Sequence, residues 1–504
     1  MTRFARLLAA ALLLLPTIAS AEAPAAERPR QAVAPTDGRR LPGDVTTSHV
    51  LELPGRTLRF KATAGSSPLV DPNGGVQAEI AYVAYRLEGT EVERRPVTFA
   101  VNGGPGASSA YLHLLVAGPW RLPLEERSVS PSAPPVTEPN AQTWLDFTDL
   151  VFIDPVGTGY SRAANPEKAR DYYGVESDIS SLSAFVSRWL RENDRMTSPK
   201  FVLGESYGGF RGPLLAENLA NEIGIGLSGL VLVSPVFDFG WLSEPRWKPM
   251  ESVTRLPSIV AASRERRGPV ERGDLEEAER YAGGEYLVDL LAGPRDVAAQ
   301  ERVTSRVTAL TGFDRAFVAS RGGRFGLREL GRELGGEGRV SSIYDTGISG
   351  FDPDPTAPTS EADDAGLSAM RAVLSSAAID HLWRRLGWRV PNARYELLSN
   401  RVNGAWQYGG GRRPVESFSE LRRSLARDAK FRVLVAHGLT DLVTPYFASE
   451  LLLRQIPAYG GERRAELSTY PGGHMFYVRD ASREAFRTDV RARYESALKA
   501  RAAE

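Results

Sequence analysis

The sequence predicts an α/β fold: a mostly parallel central sheet with helices on both faces and an inserted, largely helical cap. Three observations predict it. Short apolar runs recur at 97–101, 150–153, 201–203, 230–233 and 432–435, each ending in a Gly, Asp, Ser or His loop. Helical patterns lie between them, the clearest being Ile179, Leu182, Phe185, Val186, Trp189 and Leu190 on one stripe. Runs that are apolar throughout need both faces covered, and strands that alternate with helices pair in parallel. Third, the rhythm stops at about 237–393, where the chain is charged and helical in pattern, and resumes at Phe431. That interruption predicts an insertion over the C-terminal edge of the sheet, where folds of this class hold their ligands.

The elements before the sheet follow from composition and alternation. Arg3 and Arg6, the apolar run 7–15, Pro16 and the small residues Ala19-Ser20-Ala21 read as a secretory signal over 1–21. Residues 22–46, rich in Ala, Pro, Arg and Glu, read as a disordered leader, and 47–504 as the folded domain. Alternating patterns at 48–87, punctuated by Pro-Gly and Asn-Gly-Gly, predict antiparallel strands joined by turns.

Charge and composition exclude several classes. Lys+Arg and Asp+Glu both total 62, so no net field favours nucleic acid or anionic lipid. The chain has no Cys, which removes disulfides, a thiolate nucleophile and Cys-rich metal sites. No other apolar stretch approaches the ~20 residues of a membrane span. The expectation is export to a bacterial periplasm or the medium, with no membrane span after signal cleavage and no oligomeric state assigned.

The chemistry is carried by Gly204-Glu-Ser-Tyr-Gly-Gly209, which follows the apolar run 201–203 and precedes a helical pattern. Gly-x-Ser-x-Gly in that setting is a nucleophile elbow, with Ser206 at the tip of a strained strand-to-helix turn. Such a serine needs a base, an acid and an oxyanion site, with acid and base following it in the chain. Of five histidines, His49 and His113 precede Ser206. His381 lies in an amphipathic stretch of the insertion, where a partly exposed structural role is expected. His437 borders the site, but stands four positions from Asp441 on one loop. His474, in Tyr470-Pro-Gly-Gly-His474, follows a short alternating stretch and is the expected base. Asp441, in the loop after the preceding strand, is the expected acid. Asp154 precedes the serine and reads as a turn-forming residue that bonds nearby backbone. The run Asn102-Gly-Gly-Pro-Gly-Ala-Ser-Ser109 follows a buried strand, and its glycines let backbone N–H groups approach a substrate oxygen. The expected oxyanion donors are the amides of Gly104 and Tyr207.

In order, NGGPGASS at Asn102, FIDPVGTGYS at Phe152, GESYGG at Gly204 and GGHM at Gly472 resemble the serine carboxypeptidase family, in its bacterial members. The shorter GLTD ending at Asp441 falls between the last two. The resemblance runs from about Ser48 to the end of the chain, with the insertion poorly matched. It implies an α/β-hydrolase fold and removal of C-terminal residues from peptides, without metal or organic cofactor. It implies Ser206 as nucleophile, His474 as base and then acid, Asp441 as its orienting partner, and Gly104 and Tyr207 as oxyanion donors. It further implies that Asn102 and Glu205 bind the substrate's terminal carboxylate, a role that requires Glu205 protonated and hence acid-shifted activity. Four features depart from the family pattern. Ala100 stands where the family usually has Trp, and Val116 where it usually has a second Glu. Phe476-Tyr477 replaces the usual Val-Pro, and the family's cysteines are absent. The same triad also suits an esterase or acyltransferase, and the fold alone suits a non-catalytic binding protein.

Overall fold

The structure is a computed structural model and describes residues 40–126, 129–242, 245–358, 360–409, 414–461 and 463–502. The expected signal at 1–21 and the leader up to residue 39 lie outside the described residues. The last part of the expected leader is structured. The amides of Arg40 and Leu41 donate to the Glu79 carboxylate, and Leu41 is buried, so the chain is held well before position 47.

Three long antiparallel strands come first: β1 (Val45–Leu53), β2 (Arg56–Val70) and β3 (Val76–Leu87). Along β1 the exposed and covered positions alternate, as a sheet with one wet face requires. The other strands are β4 (Val97–Val101), β5 (Asp149–Ile153), β6 (Lys200–Glu205), β7 (Gly229–Val233), β8 (Arg432–Gly438) and β9 (Ala465–Tyr470). Every residue of β4 through β8 is buried. The sheet order is β1-β2-β3-β5-β4-β6-β7-β8-β9, parallel from β5 onward.

Helices cover both faces. Helix α1 (Val175–Glu192) buries the whole predicted stripe from Ile179 to Leu190 against β4, β5 and β6. The opposite face packs on α8 (Asp480–Ala502), whose Phe486, Val490 and Tyr494 enter the core. The Tyr494 ring stacks on Phe201 at 3.8 Å between centroids. Also on the sheet are α2 (Tyr207–Asn218), α6 (Phe418–Arg427) and α7 (Tyr446–Leu453). Between β7 and β8 the chain leaves the sheet. There α3 (Met250–Glu265) and α4 (Val297–Thr311), with shorter helices, enclose an apolar core of their own. That core is shared with Leu439, Leu442, Tyr446 and Phe447, which follow β8. Helix α5 (Ala365–Asp380) joins the main core instead. Beyond residue 393 the chain still crosses the loops above the sheet, Leu398 bridging Ala107 and Glu396 bridging Gly159.

His381, expected to be partly exposed, is instead 2% exposed. It continues α5 into the core, where it and His113 share the Tyr85 hydroxyl at 2.8 and 2.7 Å. Amphipathic spacing could not show that both sides of this turn are covered.

One buried ion cluster ties the sheet's N-terminal edge together. Asp149, at the start of β5, takes Arg95 Nε at 2.6 Å, the Arg195 guanidinium and the Leu87 amide at 3.0 Å. Asp149, Arg95 and Arg195 are all buried. Asp149→Ala would leave two guanidinium groups buried without their carboxylate, so it should lower unfolding free energy by ~3–5 kcal/mol in a denaturant titration.

Candidate active site

The parallel pairing sends the ends of β4, β6, β7, β8 and β9 to one edge of the sheet. Gly204 lies in register with Val101 on one side and Leu232 on the other. The residues that follow these strands therefore emerge side by side, although they lie far apart in sequence.

Ser206 sits between β6 and α2 with φ 59° and ψ −118°, a left-handed conformation that a residue with a Cβ adopts only under strain. The surrounding glycines permit the turn. A Cβ on Gly204 would lie 2.1 Å from the Gly208 carbonyl oxygen, and one on Gly208 would lie 2.2 Å from the Val101 carbonyl oxygen. The elbow is pinned from both sides: the Ser206 amide donates to Val233 O at 2.9 Å, and Ser206 O accepts from Gly209 N at 2.9 Å. Ser206 itself remains partly accessible.

The loop after β4 lies directly against the elbow. A Cβ on Gly103 would fall 2.7 Å from the Tyr207 nitrogen. Gly103, Gly104, Asn102, Ser206 and His474 line one cleft. Tyr207 opens α2, so its amide is one of the first-turn donors that a helix leaves without an internal partner. Gly104 has φ 98°, a conformation suited to glycine. The loop is anchored below by a buried pair that no sequence motif announced. Arg211 donates to Asp178 Oδ2 at 2.7 Å and to Asn102 O, and its guanidinium lies over the Tyr207 ring.

Asp441 and His474 meet at the ends of β8 and β9. His474 Nδ1 lies 2.8 Å from Asp441 Oδ2. A carboxylate only accepts, so Nδ1 carries the proton and Nε2 is left as the basic nitrogen. Thr444, absent from the sequence-derived set, donates to Asp441 Oδ2 at 2.7 Å and lies 3.0 Å from His474 Nδ1. The Val443 and Thr444 amides fill Asp441 Oδ1. Ser234, after β7, donates its hydroxyl to His474 O at 2.8 Å. The cap adds Tyr344, whose ring stands edge-on to the imidazole. Glycine again allows the approach, since a Cβ on Gly473 would lie 1.9 Å from Tyr344 O.

The electrostatics follow from this geometry. Burial opposes the Asp441 carboxylate, but the His474 charge and the hydrogen bonds from His474 and Thr444 hold its pKa below the usual value. Burial opposes the imidazolium too, yet Asp441, and then Glu205, raise the pKa of His474. Glu205, 3% exposed, is pushed up to about 7, with burial the largest cause. The His474 charge and hydrogen bonds from Tyr477 and Asn102 offset only part of that. Tyr477 donates to Glu205 Oε2 at 2.6 Å, so a residue that departs from the family pattern holds the Glu205 carboxyl. Val116 lies in the apolar core, and no carboxyl stands there.

The remaining candidates stand outside the Asp441–His474 contact, with His437 beside it. His437 is fully buried and bonded to Ser449 at 2.8 Å, with its pKa pushed down to about 4 by burial. Asp154 accepts the Ser109 amide at 2.8 Å, a partner 45 positions away rather than in its own turn. Burial pushes its pKa up to about 7.

Comparison with known proteins finds likenesses to part of the chain. Residues 59–239 match the family model for serine carboxypeptidases. Over 180 residues the chain is 27% identical to serine carboxypeptidase-like 8 of Arabidopsis thaliana, an alignment covering 31% of this chain and 40% of that protein. Over 183 residues it is 30% identical to the pheromone-processing carboxypeptidase KEX1 of Komagataella phaffii, covering 34% and 27%. The chain thus spans less than half the length of either relative. The crystal structure of Kex1Δp, a prohormone-processing carboxypeptidase from Saccharomyces cerevisiae, superposes with a TM-score of 0.56 at 16% identity. That superposition covers 86% of this chain and 91% of the other. The fold is an α/β-hydrolase, and from residue 59 to 239 the chain carries the sequence pattern of the serine carboxypeptidase family.

Proposed function

We propose that this protein is a serine-type carboxypeptidase that removes C-terminal residues from peptides through an acyl-enzyme. The observation that carries the reading is the His474–Asp441 contact at 2.8 Å beside the strained Ser206, in one cleft with the Gly103–Gly104 loop. His474 Nε2 takes the Ser206 proton as Oγ attacks the scissile carbonyl. The amides of Gly104 and Tyr207 receive the developing oxyanion, each worth about 3 kcal/mol in known acyl-transfer sites. His474 then protonates the leaving amine, and water repeats the sequence on the ester. Asp441 fixes the ring and stabilises its charge throughout. Asn102 and neutral Glu205 face the peptide's terminal carboxylate. The basic start and short apolar run at the N-terminus support export, into a bacterial periplasm or the medium. Cell fractionation that recovered the protein in the cytosol with its first 21 residues intact would overturn that part.

Absence of a second carboxyl at Val116 favours a second reading, an esterase on the same triad. A peptide-library digest read by mass spectrometry separates the two: stepwise loss of single C-terminal residues supports the carboxypeptidase, and turnover of esters alone supports the esterase.

Asp441→Asn should lower kcat by about 10⁴-fold with little change in KM, because the amide favours the wrong imidazole tautomer. Ser206→Ala should abolish labelling by a serine-directed phosphonate that modifies the wild type.

The pH dependence has a definite sign. Glu205 is neutral below about 7 and ionised above it, where it repels the substrate carboxylate. Activity on free-acid peptides should therefore fall as pH rises through about 7, while activity on esters with no terminal carboxylate should not fall there. Glu205→Gln, neutral at every pH, should remove that limb from the kcat/KM profile.

A further inference from the structure

The cleft beside Ser206 has a wall that the triad does not use. It carries Tyr111, from the short helix Ala110–Leu112, Leu367 from α5, and Leu398 from the chain that follows the cap. The Tyr111 side chain is 3% exposed, and its hydroxyl has no hydrogen-bond partner among the described residues. An unpaired buried hydroxyl costs ~1–3 kcal/mol, so one facing a substrate cleft is poised to bond what enters it. Arg371 stands one turn beyond Leu367 on α5, and residues four apart share a helix face. Its Nη2 donates to the Leu398 carbonyl at 2.7 Å, which brings the guanidinium to the segment that lines the cleft. Among the described residues Arg371 has no acidic partner. Its charge is close enough to act on the Tyr111 hydroxyl, as does that of Glu205. Tyr111 and Glu205 thus line one cleft, and the Arg371 guanidinium reaches the carbonyl of Leu398 at its edge.

We propose that Arg371 and Tyr111 form, with Asn102 and Glu205, the subsite that takes the free α-carboxylate of the peptide substrate. Arg371 supplies the countercharge, and the Tyr111 O–H donates to one carboxylate oxygen. Together they provide the recognition that a lone Glu205, without a carboxyl at Val116, does not. Tyr477 donates to the carboxyl of Glu205, which lines the same cleft. The assignment rests on the carboxypeptidase reading and names the residues by which this chain would select a free C-terminus.

The test compares an N-blocked dipeptide acid with its C-terminal amide at pH 6. Wild type should prefer the acid. Arg371→Met and Tyr111→Phe should each cut the acid-to-amide ratio of kcat/KM about tenfold or more, the scale of one lost hydrogen bond to a charged group. Arg371→Lys should restore part of the ratio, which a merely structural role would not predict. Phosphonate labelling of Ser206 reports folding, and Arg371→Met, at a part-exposed position, carries the test should Tyr111→Phe fail to label. A wild type that prefers the acid, with variants that keep its ratio, overturns the subsite alone. Equal losses on acid and amide overturn it as well. A wild type with no preference for the acid overturns both the subsite and the carboxypeptidase reading.

Discussion

The contact on which the site depends is between two pieces of backbone. The loop after β4 and the elbow after β6 touch with no room for a side chain between them: Gly103 abuts Tyr207 N, and Gly208 abuts Val101 O. Close packing at this density turns a small displacement into a clash or a void. Ser206 is thereby held in a backbone conformation it would otherwise leave, and the strain is retained because neighbouring strands over-determine it. Arg211 reinforces the same contact from below, joining α1, α2 and the Asn102 carbonyl in one buried group.

The acid–base half is built by the same means at the next strands. Gly438 and Gly473 admit each other's backbone, so the loops carrying Asp441 and His474 can close on one another. Ser234 then donates to the His474 carbonyl and Thr444 to the Asp441 carboxylate. The cap is not a separate lid on this arrangement. Tyr344 O accepts the His474 amide, and Asp345 pairs with Arg479 beyond the histidine loop. Cap and base are therefore mechanically continuous, and a change in the cap should reach the imidazole.

Charge in the cleft is arranged to oppose itself. Asp441 favours the imidazolium, and Glu205 does so when ionised, whereas the proposed mechanism uses neutral imidazole for attack and neutral Glu205 for terminus binding. Protonation of Glu205 removes one of the fields that raise the pKa of His474.

Much of this was legible in the chain. The apolar runs marked the buried strands, the stripe at Ile179 marked α1, and the order Ser206, Asp441, His474 picked three residues that the fold brings to one edge of the sheet. Those are local signals, set by periodicity and by the conformations that glycine alone allows. Legibility ended where function depends on what lies across a gap. Thr444, Ser234, Arg211 and Tyr477 carry no motif, because a hydroxyl or guanidinium becomes a positioning group only through the partner it meets. His381 showed the converse: its pattern suggested a surface, and the fold buried it against Tyr85. Sequence by itself determined the buried strands and the strand-to-helix elbow at Ser206. Tertiary structure decided which side chains surround the Glu205 carboxyl, because its pKa and partners arise from burial and from Tyr477, which lies 272 positions away.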